Sequence, residues 1–132
     1  MDEDRRSEAR ERAVSLLYEA EIKEQEPGAV VAALPVAPDD LAVLLVEGVA
    51  GRQDEIDALL RRYTEGWTLE RMPAVDRAIL RVATFELVGR PEIPIAVVID
   101  EAVELAKRLS TDDSGRFVNG MLSSIARSTR AS

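Results

Sequence analysis

Apolar residues along this chain recur every three to four positions, the spacing that lines one side of an α-helix, and no stretch sustains the two-residue alternation of a strand. Ala9, Ala13, Leu16, Leu17 and Ala20 form the first such stripe, with charge on the opposite face, and predict an amphipathic helix over roughly residues 4–25. Pro27-Gly28 stops it. The stretch on to Pro38, rich in Ala, Val and Pro, has room for one short helix within a connection and is expected to be the loosest region. Asp39 or Asp40 can cap a second long helix, whose stripe of Leu41, Leu44, Leu45, Val49, Ile56, Leu59, Leu60 and Tyr63 continues across a bend at Gly48 and Gly51 and ends at Gly66-Trp67-Thr68.

Pro73 suits the first turn of the next helix, where a missing N–H costs nothing, and Val75, Ile79, Val82, Ala83 and Leu87 then point inward until Gly89 and Pro91. After Pro94, Val98, Ala102, Leu105 and Leu109 mark another helix, with Glu104 and Arg108 as a surface pair one turn apart. Residues 110–114 break the pattern. A last helix starts near Ser114 and buries some of Phe117, Val118, Met121, Leu122 and Ile125. The expected fold is all-α, a compact bundle of about six or seven helices forming one domain over residues 1–132.

Composition narrows the chemistry. The chain has no cysteine and no histidine, which removes disulfides, thiolate zinc sites, the commonest general base and the usual nucleophilic relays. It also lacks a Walker-type phosphate loop and a Gly-x-Gly-x-x-Gly turn, so neither a catalytic centre, a cofactor nor a metal is expected. Asp100 and Glu104, one turn apart, are the best remaining acid–base pair, and they read as a solvated helix face balanced by Lys107 and Arg108. The charged N-terminus lacks the apolar stretch of a signal peptide, and no apolar run approaches the roughly 20 residues of a membrane span. A cytoplasmic protein without membrane contact is the expectation.

The net charge of −8 argues against simple electrostatic capture of nucleic acid, but the charge is uneven. From Lys107 to the C-terminus, five cations face two carboxylates. Near the N-terminus Arg5, Arg6, Arg10 and Arg12 could grip a phosphate backbone, or could form a salt-bridged face with Asp2, Glu3, Asp4, Glu8 and Glu11; composition leaves both readings open. Tyr63 and Trp67, with apolar neighbours, read as core anchors. Phe117 directly follows Arg116 and a polar loop, so it is either a core residue or a platform for an unpaired base.

Several ordered motifs together resemble one family. Ala9-Arg10-Glu11 with Leu17-Tyr18, Asp76-Arg77-Ala78-Ile79-Leu80-Arg81, Glu86-Leu87, Ile93-Pro94, the run from Asp100 to Lys107, and Phe117-Val118-Asn119-Gly120-Met121-Leu122 resemble the bacterial transcription antitermination and termination factor NusB over nearly the whole chain. The resemblance implies two helical subdomains and binding to the BoxA element of nascent ribosomal RNA transcripts, strengthened by a small-subunit ribosomal protein, NusE. It further implies an antitermination complex with other Nus factors on RNA polymerase.

By the same resemblance, Arg6 and Arg10 match an arginine-rich N-terminal motif, with Arg5 beside them as a further RNA-binding candidate, Tyr18 matches the aromatic end of that helix, and Arg116 with Phe117 a second RNA contact region. Glu70, Asp76 and Asp113 match acidic positions at or near the joint surface for RNA and ribosomal protein, although helix capping or first-turn placement would also account for them. Ser7 and Glu8 interrupt the arginines where typical members are more uniformly basic, which makes dependence on the protein partner the expectation. Two alternatives stand beside this reading. One is a protein-binding or homodimerising scaffold with an occluded RNA surface. The other is the NusB-like domain found at the N-terminus of some rRNA cytosine methyltransferases, less favoured because no methyltransferase domain follows here.

Overall fold

A computed structural model describes residues 3–64 and 68–130. Among them are seven α-helices and no strand: α1 (Glu3–Ile22), α2 (Pro27–Ala32), α3 (Asp40–Gly51), α4 (Gln53–Tyr63), α5 (Ala74–Gly89), α6 (Ile95–Leu109) and α7 (Asp112–Thr129), with a 3-10 turn at Leu69–Arg71. The all-α expectation holds. None of these helices is long and apolar enough to cross a membrane. Trp67 lies outside the described residues.

Most of the stripes read from the sequence become the core, while Leu44 and Leu109, at the edges of theirs, stay exposed. Ala9, Ala13, Leu16, Leu17 and Ala20 of α1 are buried, as are Val98, Ala102 and Leu105 of α6 and Val118, Met121, Leu122 and Ile125 of α7. All seven helices contribute to one apolar cluster. Differences lie at the helix ends. The first helix stops at Ile22, before the proline, because Glu24 takes a left-handed φ of 53° and Gln25 N–H donates back to Ala20 O at 2.9 Å. The long second helix is two helices: α3, capped by the Asp39 carboxylate accepting from Leu41 N–H at 2.9 Å, and α4, which begins after Arg52. Pro73 is the residue before α5 rather than within it, and the last helix begins at Asp112 under a Thr111 cap.

α5 is the centre. It packs against α1, α3, α4, α6 and α7, and from Ala78 to Leu87 every residue except Arg81 is buried. Such a helix has no solvent face to show in the sequence, which is why its polar residues Asp76, Thr84 and Glu86 are also buried. Two close contacts set its position. The Phe85 ring fills the notch where α3 crosses, so near that a Cβ on Gly48 would sit 2.2 Å from it. Just beyond Phe85, Arg130 folds back over the C-terminus of α5, donating from Nε to Leu87 O at 2.9 Å and from Nη2 to Glu86 O at 3.0 Å and Arg90 O at 2.9 Å. Glu86 O also accepts from Arg90 N–H at 3.1 Å and Arg90 O from Ile93 N–H at 3.0 Å, so Arg130 caps Leu87 O and adds second donors to the other two carbonyls.

Gly48→Ala is expected to destabilise the fold by about 1–3 kcal/mol through overpacking, read by urea denaturation. Most of the loss should be recovered by adding Phe85→Leu, which vacates the notch; an additive double variant would place the strain elsewhere.

Candidate nucleic-acid interface

Depth sorts the arginines of α1. Arg6 is exposed and, among the described residues, has no ion-pair partner. Arg5, with its side chain 61% exposed, donates from Nε to Asp39 Oδ2 at 2.8 Å and so ties the start of α1 to the α3 cap. Arg10, one turn after Arg6, is turned inward and almost wholly buried. Its Nε and Nη2 donate to the two oxygens of Glu86 at 2.8 and 3.1 Å, and Nη1 donates to Glu101 Oε1 at 3.1 Å. Burial opposes the charge, yet hydrogen bonding and proximity to Glu86, then Glu101, hold the guanidinium above its ordinary pKa. Ser7 Oγ donates to the same Glu101 oxygen. Arg10 therefore joins α1 to α5 and α6, and Arg6 and Arg5 remain at the surface.

Asp39 is held below its ordinary carboxyl pKa of 3.8, first by the Leu41 N–H and then by Arg5. A lowered folded value means that the cap is fully engaged above that pH and is lost as the pH falls through the folded pKa.

The second cluster lies on α7. Arg116 is 80% exposed and pairs with Asp113 one turn earlier. Phe117 is half-buried and packs on the core while also lining an open groove of about 380 Å³ with Tyr63, Arg116 and Met121. The core reading of Phe117 thus holds in part, and the ring also borders the groove. Tyr63, read from the sequence as a core anchor, is likewise only half-buried, and Arg62 lies over its ring at 5.6 Å from the centroid. The signal for Tyr63 was its place directly after Arg61 and Arg62 at a helix end. Tyr18 is 39% exposed on α1.

The three acidic candidates separate. Glu70 is exposed and accepts from Arg61 at 3.1 Å; its own backbone N–H and then Arg61 lower its pKa. Asp113 is exposed in the first turn of α7. Asp76 is buried and accepts from Ser114 Oγ at 2.9 Å, so it joins the first turn of α5 to the first turn of α7. First-turn placement holds for Asp76 and Asp113, while neither supplies the cap of its helix. Among the described residues no group of carboxylates could hold a metal ion.

Fold and surface together define an all-α protein whose outward chemistry is arginine, aromatic and carboxylate. The chain belongs to the NusB family, whose sequence profile matches residues 7–127. It is 51% identical over 127 residues to the transcription antitermination protein NusB of Saccharopolyspora erythraea, covering 92% of this chain and 86% of that one. With its counterpart in Salinispora tropica it is 50% identical, covering 92% and 94%. The structure is similar to T. maritima NusB, with a TM-score of 0.84 at 35% identity over 96% of this chain and 93% of that one. It is also similar to a chain in the structure of antitermination factors NusB and NusE in complex with dsRNA, with a TM-score of 0.82 at 27% identity over 96% and 99%.

Because Arg10 is buried against two carboxylates, Arg10→Met is expected to cost about 3–5 kcal/mol in chemical denaturation, leaving Glu86 without its counter-charge. Arg6→Met should stay within about 0.5 kcal/mol of the parent. Equal losses would mean that the two arginines share one environment.

Proposed function

We propose that this chain is an antitermination factor that binds the BoxA element of nascent ribosomal RNA transcripts together with the ribosomal protein NusE. The pair then joins other Nus factors in a complex on RNA polymerase. The observation that carries this reading is the similarity, over nearly the full length of both chains, to NusB in the complex with NusE and dsRNA. The surface is chemically suited to it. Arg5, Arg6 and Arg116 offer guanidinium groups to phosphates, and Tyr18 and Phe117 offer partly exposed rings to unpaired bases. Glu70 and Asp113, both exposed, suit basic groups of the protein partner.

Arg10 and Asp76 act from beneath this surface, the first by fixing α1 and the second by fixing the start of α7. In this reading residues 1–132 work as one binding domain, without catalysis. Few phosphate contacts on a chain of net charge −8 give modest affinity alone, so NusE supplies much of the binding.

Fluorescence anisotropy with a BoxA RNA and a scrambled RNA, with and without NusE at one salt concentration, tests this. BoxA should bind preferentially and tighten with NusE, and Arg6→Glu with Arg116→Glu should weaken it at least about tenfold without loss of fold. If neither RNA binds in either condition and light scattering gives twice 14.5 kDa, the dimerising scaffold is the better reading.

A further inference from the structure

Between the first turns of α1 and the start of α6 lies a pocket of about 330 Å³, of whose lining the contacts proposed above use only Arg6. Ile93, Pro94 and Val97 supply its apolar lining, and Arg6, Arg10, Asp100 and Glu101 line it with charge. Ile93-Pro94 and the run from Asp100 were among the motifs that marked the chain, and here they converge on one cavity.

Of its polar lining, Arg10 is already committed to Glu86 and Glu101, while the carboxylates keep acceptors in want of donors. Asp100 is exposed and has no partner among the described residues. Glu101 uses Oε1 for both Arg10 and Ser7, which leaves Oε2 as an acceptor facing no donor among the described residues. Glu3 adds a third carboxylate. Three carboxylates stand against two guanidiniums, of which Arg10 is already bound to Glu86 and Glu101, so a phosphate does not belong inside. A flat, apolar group carrying N–H donors does, with its phosphate outside near Arg6.

Resting on the RNA-binding reading above, we propose that this pocket takes one unpaired base bearing an amino group, that is cytosine, adenine or guanine, in preference to uracil. The amino group donates to Asp100 or Glu101, the ring lies on Val97 and Ile93, and the adjoining phosphate meets Arg6. Uracil is disfavoured because its two carbonyl oxygens flank a single N–H and would face carboxylate oxygens.

Methyl NMR of the full chain, titrated with CMP, GMP, UMP and ribose 5-phosphate, tests the assignment. The Ile93 and Val97 methyl signals should shift saturably with CMP and GMP, about tenfold more weakly with UMP, and not with ribose 5-phosphate. Asp100→Asn should bring CMP and UMP to within about twofold of each other, because an amide both donates and accepts. Val97→Trp, at a position 39% exposed, should fill the pocket and remove the response with the remaining spectrum unchanged.

Equal shifts with UMP, a response to ribose 5-phosphate alone, or a response to argininamide instead of nucleotides would overturn the proposal, the last marking a site for a basic side chain of a protein. If the chain binds BoxA RNA in the anisotropy assay while these methyls stay still, only the pocket assignment fails. If no RNA binds at all, the underlying function fails with it.

Discussion

A guanidinium buried in a helical core is tolerable only where carboxylates meet it at once, and the meeting of Arg10 with Glu86 and Glu101 is the constraint on which this architecture turns. Desolvating the two charges offsets much of their attraction, so the pair adds little stability compared with apolar side chains of the same volume. What it adds is register. Sliding α1 along α5 by one turn would strand a charge in the core, whereas an apolar stripe alone would tolerate the shift. The position of Arg6 at the surface and the pocket beside it both follow from that fixed register.

The same device recurs along α5. Arg77 pairs with Glu21 at 2.8 Å, Arg81 grips both oxygens of Asp57 at 2.9 and 3.0 Å, and Asp76 reaches Ser114. With Arg10–Glu86 near one end of α5 and Arg77–Glu21 near the other, α1 and α5 are antiparallel and held at both ends. The charged motif from Asp76 to Arg81 is thus largely an internal fastening. Its partners come from α1, α4 and α7, so its acidic and basic residues hold up the outward surface without forming it.

The helices were legible in the sequence because a three-to-four-residue stripe reports local geometry, and the stripes of α1, α6 and α7 became buried faces nearly residue for residue. The resemblance to the family was likewise carried by ordered local motifs. Depth was not legible. Arg6 and Arg10 share a helical face, and only the approach of Glu86, 76 positions away, and Glu101, 91 positions away, separates their environments. Asp76 was read as an acidic surface candidate because nothing local reveals that α7 will cover it. The division of α3 from α4 was visible only as glycines, and Tyr63 was assigned to the core because its apolar neighbours outweighed the arginines before it.

Arg130 gives the fold a direction in time. The carbonyls at the end of α5 are complete once residue 90 has been made, but the side chain that caps them arrives some 40 residues later. During synthesis that end of the central helix must stay open to water, and its docking becomes final only when α7 has been laid down across it. The end of α7 is therefore the latch, and a ribosome paused within α7 would present α1 to α6 as an unlocked assembly.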